Sequence, residues 1–469
     1  MKAKGKIDIA LIMICLIAVE LRAQSPSIAL PDAPEARALL LASAQSALTP
    51  ASSLPAPTEG TPTLLTRQLA EQIALANNPR VRISQLIARI QHQVVRERRA
   101  DELPNLYGNL TAVEANDGSR LSSGYLTAST LLEHAGMGIQ VNQLITDFGR
   151  TRNLVASAQL QEKARAADAE ASRHDIVLAA DQVFFEVIEA QETLKVASQT
   201  VSARQTLTDQ VSALTSSKLR SDLDLSFAQV NLSQAKLLQL NAQNELDAAK
   251  AALSAVLGYD RQMNFQLVDD EGSLPPLPVD SETLIAQAIQ NRPDLQSLKF
   301  NELAAQKFSK AQHEQLLPTI SALGVAGGTP VGSSQYFTAD WYGAVGGNVS
   351  IPIFNGFRFT AQASEATLQA QAASEQTRAL REQVVRDVRT AWLNANTALQ
   401  RVTVTAELLK QASTALDLAK TRYDLGLSSI VELSQAELQQ TEAAIGNANA
   451  RSQYNFAIST IDFQTGVQP

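Results

Sequence analysis

The stretch GAVGGNVSI at residues 343–351 decides the fold, because two kinds of side chain alternate along it. Glycine, valine and isoleucine occupy every second position, and small or polar residues occupy the positions between them. The stretch MGIQVN at 137–142 alternates in the same way. A period of two with one apolar face is typical of a strand that lies between lipid and a wet lumen. Trp341 and Tyr342 are suited to an aromatic girdle at a membrane interface.

An internal duplication repeats this strand pattern in the two halves of the chain. Pro79 and Pro293, each the last residue of an Asn-x-Pro motif, lie 214 positions apart. Farther along, matching positions are separated by 208, as in the pairs Asp147 and Asn355, Arg150 and Arg358, Phe184 and Trp392, Leu225 and Leu433, and Gly258 and Gly466. Two constant distances indicate two copies of one unit that differ in length at a single place. A period of about 200 residues is too long for a solenoid, so the sequence predicts a duplicated half-molecule.

Each half predicts the same order of elements. A short helix is followed by a helix that begins at the proline, a strand pair, a very long helix, a turn and a last helix. The long helices are predicted at 147–214 and 356–424, and apolar residues step along them by three and four, as Leu399, Val402, Ala406 and Leu409 do. This is coiled-coil spacing. A helix of this length is a rod of about 100 Å.

These elements predict the domain boundaries. The first repeat covers 63–258 with its strand pair at about 104–146, a linker covers 259–280, and the second repeat covers 281–466 with its strand pair at about 318–353. The polar stretches 115–124 and 327–340 are expected to be external loops.

Four strands per chain cannot close on themselves, and an open sheet edge in hydrocarbon leaves backbone groups unpaired. Known membrane barrels have at least about eight strands. Three chains would supply twelve, whereas two would supply eight and leave little room for a lumen. We therefore expect an α+β membrane protein, with a long α-helical coiled-coil barrel and a transmembrane β-barrel built from four strands per chain in a trimer.

The N-terminus is typical of an exported protein. Lysines at 2, 4 and 6 precede an apolar run at 9–19, and Ala23 is a small residue at a possible cleavage site, so residues 1–23 are predicted to be a signal peptide. A buried first helix or a membrane anchor is the alternative, but eleven apolar residues are too short to span a bilayer. Residues 24–62, rich in Pro, Ser and Ala, are predicted to be an extended tether.

Composition excludes several functions. The net charge is −8 and no basic block occurs, so a nucleic-acid groove is not expected. The single cysteine, Cys15, excludes disulfides and Cys-ligated zinc. The four histidines have no ligand spacing, and neither a phosphate loop nor a nucleophile elbow is present, so we expect no enzyme, no metal and no cofactor.

In this order and at these distances, the motifs resemble those of the TolC family of trimeric outer-membrane efflux channels. The resemblance covers about 64–466 and rests on the duplication, the Asn-x-Pro and Leu-Pro motifs, DFGR at 147–150, IFNG at 353–356 and RYDLGL at 422–427. It implies a twelve-stranded barrel in the outer membrane, continued by a helical barrel across the periplasm. It also implies a homotrimer, contact with outer-membrane lipid, and two partners, a periplasmic adaptor (membrane fusion protein) and an inner-membrane pump.

The resemblance also implies a periplasmic gate at the helix turns. Its acidic positions fall on Asp224 and Glu432, its aromatic position on Tyr423 and its turn on Gly426. A basic position of the family is Ser428 here and a second acidic position is Gln435, so the gate is expected to be altered. The alternative for the two acids is a solvated helix start, where acids are favoured in any helix. The alternative for Tyr423 is a residue of the coiled-coil seam.

Two other functions are compatible with long helices. An exported structural or adhesive coiled-coil protein is the alternative from another class, although it would not require two matched strand pairs. A periplasmic adaptor would need lipoyl-like and small β-barrel segments, which the sequence lacks. The cargo, whether drugs, metals or secreted polypeptides, stays open, as do the particular pump and adaptor.

Overall fold

The computed structural model describes residues 63–114, 120–123, 126–130, 134–263, 265–268, 274–331 and 341–467. The chain divides into two units, Met1–Pro55 and Ala56–Pro469, and the first lies outside the described residues. The predicted signal peptide (1–23) and tether (24–62) therefore fall outside the described part. No helix in the described ranges has the length and apolar character needed to cross a membrane.

Eight helices and eight strands make up the described part of the chain. The helices are α1 (Arg67–Asn77), α2 (Pro79–Ala100), α3 (Arg150–Ser216), α4 (Asp222–Val256), α5 (Ser281–Asn291), α6 (Pro293–Glu314), α7 (Arg358–Asp424) and α8 (Ile430–Thr465). The strands are β1 (Thr63–Leu65), β2 (Asn105–Val113), β3 (Arg120–Ser123), β4 (Leu126–Thr130), β5 (His134–Thr146), β6 (Phe265–Leu267), β7 (Thr319–Val331) and β8 (Trp341–Ser350).

Helices at corresponding places in the two halves have nearly the same length. Helices α1 and α5 have 11 residues each, α2 and α6 have 22 each, and α3 and α7 have 67 each. The last helices, α4 and α8, have 35 and 36 residues. At about 1.5 Å per residue, α3 and α7 are each about 100 Å long. The fold is therefore mostly helical, with a pair of long strands between the second and third helices of each half.

The largest hydrophobic core lies where α1, α3 and α4 meet the strands β1 and β6, which pair in parallel. Phe184 of α3 and Leu253 of α4 are fully buried there. In the second half, Val384 and Val388 of α7 pack with Ile461 of α8 in a smaller core.

The DFGR motif forms the corner between strand β5 and the long helix α3. The Asp147 carboxylate accepts hydrogen bonds from the backbone N–H groups of Gly149 and Thr151, at 3.2 and 2.7 Å. Phe148 and Gly149 have φ values of +59° and +110°. The IFNG motif makes the corresponding corner before α7, where Gly356 has φ +66°. Two successive residues with positive φ turn the chain from strand to helix within a few positions.

Each of the two repeats ends in a glycine that packs against the Asn-x-Pro motif of the same repeat. Gly258 follows α4 and Gly466 follows α8, with φ values of +81° and +69°. A Cβ atom on Gly258 would lie 3.0 Å from the backbone carbon of Asn77, and one on Gly466 would lie 2.9 Å from that of Asn291. Each half thus closes by packing its last residue against its own Asn-x-Pro turn, which leaves no room for a side chain.

The central sheet combines strands from both halves in the order β2-β5-β7-β8, and all its pairs are antiparallel. The register brings Leu106 opposite Val141, Val141 opposite Gly324, and Gly324 opposite Val345. These residues share one face, because residues opposite each other in a sheet point to the same side. Leu110 and Val345 on this face are 87% and 91% exposed. The sheet therefore has an exposed apolar face within this chain.

The expectation that 115–124 and 327–340 are loops is wrong in part. Strands β3 and β4 pair with each other as a separate hairpin, and β7 continues to Val331. Gly327 and Gly328 pair with Tyr342 and Trp341 of β8. Small and polar residues look loop-like by composition, but the ladder is made by backbone groups and does not depend on side chains. Residues 115–119 and 332–340 lie outside the described part.

A buried cluster of charged groups, which we call the carboxyl cluster, links both halves. It consists of Glu71 of α1, Asp181 of α3 and Asp462 of α8, arranged around Arg67. Arg67 Nη1 lies 3.4 Å from Asp181 Oδ2 and donates a hydrogen bond to Ser459 Oγ at 3.1 Å. Burial and the charge of Asp181 raise the pKa of Glu71 to about 8, although Arg67 opposes this shift. Burial also raises the pKa of Asp181 and of Asp462.

Replacing Gly466 by alanine should lower the thermal unfolding midpoint by several degrees. The new Cβ atom would meet the backbone of Asn291. The alanine residue would also have to adopt a positive φ, which costs about 1–2 kcal/mol. Gly446→Ala is the matched control, because a Cβ at this helical position meets nothing within 4 Å and alanine favours helix by about 1 kcal/mol. Equal effects of the two substitutions, measured by circular dichroism, would contradict the packing described here.

Replacing Glu71 by glutamine should remove a pH dependence of stability. A carboxyl group whose pKa is raised on folding stabilises the fold fully below its ordinary pKa, and this contribution is lost as the pH rises through the folded value, about 8 here. As the pH rises from about 6 to about 9, the thermal unfolding midpoint of the parent should therefore fall more steeply than that of Glu71→Gln. Parallel curves for the two proteins would show that Glu71 does not carry a proton in the fold.

Candidate functional site

The candidate site comprises the two turns that join each long helix to the last helix of its half. The first turn lies between α3 and α4, and the second lies between α7 and α8. A small core packs the two helical hairpins together beside the turns, and its buried residues come from all four helices: Val211, Ala228, Ala419, Tyr423, Ile430, Leu433 and Ala436. The two turns of one chain are therefore neighbours.

Both predicted gate acids are the third residue of a helix. Asp224 N donates to Ser221 Oγ at 3.1 Å, and Asp224 Oδ2 accepts from Ser221 N at 3.4 Å, which forms a capping box. Glu432 N donates to Ser429 Oγ at 3.4 Å in the second turn. These serines satisfy backbone donors that the first turn of a helix leaves free. The two acids are thus held at equivalent places, half-buried at Asp224 and exposed at Glu432.

Glu432 has a cationic neighbour in its own hairpin. Arg422 Nε lies 3.5 Å from Glu432 Oε1, and both side chains are about half exposed. An ion pair in this setting stabilises weakly, by about 0–1 kcal/mol. The pair places a cation beside one of the two gate carboxylates.

Tyr423 is bound by an arginine from the other hairpin. The Arg220 guanidinium carbon lies 4.5 Å from the centroid of the Tyr423 ring, and Arg220 Nη2 donates to the Tyr423 carbonyl oxygen at 3.2 Å. Tyr423 is 4% exposed. Stacking of a cation on an aromatic face contributes about 0.5–2 kcal/mol, with the larger values where water is excluded. This contact ties the first turn to the end of α7.

Burial raises the pKa of Tyr423, and the charges of Asp224 and Asp424 add to the effect while Arg220 opposes it. The Tyr423 hydroxyl and the Ser428 Oγ are both buried without a hydrogen-bond partner in the described part of this chain. Buried hydroxyl groups are normally paired, so these two atoms are suited to a partner that the single chain does not supply.

The remaining predicted positions have different environments. Gln435 is exposed on α8, and Gly426 has φ +74° in the second turn. The position 208 residues before Gly426 is Lys218, which has φ +56° in the first turn. Glycine adopts this conformation without strain, whereas lysine does so at a cost of about 1–2 kcal/mol. The two turns therefore have the same left-handed backbone conformation, and only the second turn has a glycine at that position.

Above the turns, a groove with a volume of about 480 Å³ runs between α3, α7 and α8. Arg204 Nε lies 3.7 Å from Glu437 Oε2 in its wall, and both side chains are largely buried. Arg204 Nη1 also donates to the Asn231 carbonyl oxygen at 2.9 Å. Burial raises the pKa of Glu437, and Arg204 opposes this shift. The ion pair of Arg204 and Glu437 thus joins the two hairpins at a second place, farther from the turns than the contact of Arg220 with Tyr423.

Sequence reasoning missed Arg220 and Arg422, which contact two of the predicted residues. Arg220 could have been found from the repeat, because it stands 208 positions before Ser428, the family's basic position. The basic group is thus present in the first copy and absent from the second.

Two long helical hairpins that share a sheet with one exposed apolar face fit the class of outer-membrane channel proteins. The sequence matches the family described as Outer membrane efflux protein over residues 71–259 and 284–467. The chain belongs to this family, whose members are channels and not enzymes, and it lies in the outer membrane and extends into the periplasm. The resemblance to the TolC family is confirmed.

Individual relatives show the extent of this similarity. Outer membrane protein TolC of Escherichia coli (strain K12) is 25% identical over 411 residues, which cover 84% of this chain and 80% of that protein. Outer membrane efflux protein BepC of Brucella suis biovar 1 (strain 1330) is 25% identical over 354 residues, 73% of each chain. The solved outer-membrane channel OprN has a TM-score of 0.75 at 18% identity and covers 86% of this chain and 90% of its own, so it shares the fold.

The shared turn geometry makes opposite substitutions informative. Lys218→Gly should raise the thermal unfolding midpoint by a few degrees, because it removes about 1 kcal/mol of backbone strain. Gly426→Lys should lower it, since it introduces the same strain in the second turn. A fall in the midpoint of Lys218→Gly would contradict the equivalence of the turns.

Proposed function

We propose that this protein is a trimeric channel that forms the exit duct of a tripartite efflux or type I secretion system. It is a passive conduit that catalyses nothing, and docking of a periplasmic adaptor and an inner-membrane pump at the tip opens it. Residues 63–258 and 281–466 act as two copies of one structural unit, joined by the linker 259–280.

The observation that carries the proposal is the unclosed sheet. Strands β2 and β8 are its outer strands, and its apolar face is exposed within one chain. In a bilayer, the free N–H and C=O groups of these edges must be paired, because hydrocarbon offers no hydrogen bonds. Pairing β8 of one chain with β2 of the next in a ring of three gives twelve strands. The apolar face then meets lipid, and the face with Gln140, Asn142 and Asn348 lines the lumen.

The long helices supply the rest of the duct. Each chain contributes two hairpins built on helices of about 100 Å, so a trimer has six hairpins around one axis. Nearly equal helix lengths in the two halves favour a closed ring of six similar units. Such a helical barrel would continue the membrane barrel through the periplasm.

The turns are proposed as the periplasmic gate. In a trimer, three copies each of Asp224 and Glu432 would ring the entrance. Gathered carboxylates raise the local cation concentration and repel anions, and low-dielectric walls strengthen the effect. The stacked pair Arg220 and Tyr423 would hold the hairpins together in the closed state, and its separation would accompany opening.

Exposed leucines at the turns support docking of the adaptor there. Leu219 and Leu427 occupy equivalent positions of the two copies and are 71% and 68% exposed. Exposed apolar residues at the end of a periplasmic rod are suited to the apolar residues of a partner's helical hairpin. A structural or adhesive coiled coil would require neither these leucines nor the apolar sheet face.

Purified protein in planar lipid bilayers should produce discrete, long-lived conductance steps. The steps should be small, because the tip is proposed to be closed without its partners. A folded trimer that never conducts would contradict the channel function, and the coiled-coil alternative would then be favoured.

The double variant Asp224→Asn with Glu432→Gln should lose cation preference. We expect its reversal potential in a salt gradient to move toward zero, and block by polyvalent cations to weaken by at least about tenfold, a difference of about 1.4 kcal/mol. Glu407→Gln with Glu442→Gln is the matched control, because it removes two exposed acids from α7 and α8 away from the turn. If the turn variant keeps the parent's preference and block, the two acids are only solvated helix starts.

A further inference from the structure

Glu71, a member of the carboxyl cluster, occupies a position that the second half of the chain fills with an apolar residue. Its side chain lies on α1, and the residue is 6% exposed. The residue 214 positions later is Ile285 of α5, which is buried in the core of the second half. A buried isoleucine stabilises a fold through its apolar surface, whereas a buried acid loses its hydration and stabilises only when it is paired. The first half therefore has a titratable group where packing alone would favour an aliphatic one.

The carboxyl cluster has too little positive charge for three ionised acids. Within the described residues, Arg67 is the one cation that influences all three carboxyl groups. Its Nε lies 3.6 Å from Glu71 Oε1, and its Nη1 lies 3.4 Å from Asp181 Oδ2. If every acid were ionised, three negative charges would face one positive charge. Like charges at short range in a buried site disfavour ionisation of at least one of the groups.

Two carboxyl oxygens of the cluster receive no hydrogen bond from any donor in the described part of the chain. They are Glu71 Oε1 and Asp181 Oδ1, and both are buried. A proton on Glu71 that is donated to Asp181 supplies the missing hydrogen bond between these two groups. A buried polar atom without a partner costs about 1–3 kcal/mol, so sharing one proton is favourable.

The nearest histidine does not supply the missing positive charge. His174 of α3 lines a cavity of about 30 Å³ together with Asp181 and Asp462. Burial is the main cause that lowers the pKa of His174, so the imidazole is neutral at neutral pH. Arg173 adds to this effect, and three acids oppose it, namely Glu170, Asp175 and Asp294.

The same cavity gives protons a route to the cluster. A volume of about 30 Å³ is enough for a water molecule. Val467 also lines the cavity and is 44% exposed, so the cavity lies near the protein surface. Water at this place can exchange a proton with Asp181, which lines the cavity as well.

We propose that the carboxyl cluster is a proton-operated latch that holds α1 against the junction of the two halves. With one proton shared by Glu71 and Asp181, Arg67 bridges Asp181 of α3 and Ser459 of α8, and α1 packs on both helices. Without this proton, the carboxylates repel one another in a site from which water is largely excluded. Helix α1 then opens locally, together with strand β1, which precedes it.

The latch lies far from both ends of the long helix. Asp181 is in the middle of the 67 residues of α3, about 50 Å from either end. Helix α1 and the end of α8 therefore contact α3 halfway along its length. Opening of the latch changes this contact and leaves the turns at the end of the helix as they are. This inference goes beyond the proposed channel function and does not depend on it.

The raised pKa of Glu71 gives the direction of the pH dependence. Burial is the main cause of its rise to about 8, the charges of Asp181 and Asp462 add to it, and Arg67 opposes it. A group of this kind stabilises the closed form fully below its ordinary pKa, and the contribution is lost as the pH rises through the folded value. From about pH 7 to about pH 9, the equilibrium between closed and open α1 should shift toward the open form by about tenfold.

Hydrogen–deuterium exchange on the purified full-length protein in detergent tests the latch. After division by the intrinsic exchange rate at each pH, the exchange of the α1 amides should become about tenfold faster from about pH 7 to about pH 9. Helix α5 is the internal control, because it also has 11 residues and carries Ile285 at the position of Glu71. Its corrected exchange should stay constant over the same range.

Two substitutions at position 71 should remove the pH response of α1. Glu71→Gln keeps a hydrogen-bond donor toward Asp181 that it cannot lose as the pH rises. Glu71→Ile copies the solution of the second half and serves if the glutamine variant does not fold. The matched control is Glu282→Gln, because Glu282 is an exposed acid of α5 that pairs with Arg389. It should leave the pH response of α1 as it is in the parent.

Three results would overturn the latch. One is an equal pH response of α1 in the parent and in Glu71→Gln or Glu71→Ile. Another is the same acceleration in α5 as in α1, which would show that the whole fold loosens. The third is constant protection of α1 in the parent. Each of these results leaves the proposed channel intact, because the exchange of α1 reports neither the number of chains per particle nor the conductance.

Discussion

The structure depends on one constraint, the two edges of the sheet β2-β5-β7-β8, which have no partner strand among the described residues. Each edge strand presents backbone donors and acceptors that water can satisfy and hydrocarbon cannot. If the sheet's exposed apolar face lies in lipid, as we propose, other chains must pair its edges. Assembly is then a requirement of the fold in a membrane, and in the proposed trimer the long helices would form a ring because they are attached to the strands of a closed barrel.

A duplicated half-molecule would supply the proposed ring from few parts, and the two halves of this chain share some features and differ in others. Turn geometry is shared between Lys218 and Gly426. Other positions diverge in charge. Asp181 pairs with Arg67 in the first half, whereas its counterpart Arg389 lies 2.7 Å from Glu282 in the second. Each half thus has an ion pair between its first short helix and its long helix, with the basic residue on the short helix in the first half and on the long helix in the second.

Much of this architecture could be predicted from the sequence, because repeats and periodicity are local signals. The long helices and their turns are visible in the 3–4 spacing and the fixed distance of 208. Contacts between halves are not visible in this way. Arg220 and Tyr423 are 203 positions apart and meet only once two hairpins have a fixed rotation. Likewise, no pattern in the sequence distinguishes Glu71, which is buried beside Asp181 of the long helix α3.

The number of chains in the native particle tests the central claim most directly. Protein extracted from the outer membrane in mild detergent, or held in lipid discs, can be weighed intact by native mass spectrometry. The unclosed sheet predicts three chains per particle, with no folded monomer at low concentration. A stable, folded monomer, or a particle of two chains, would contradict the account.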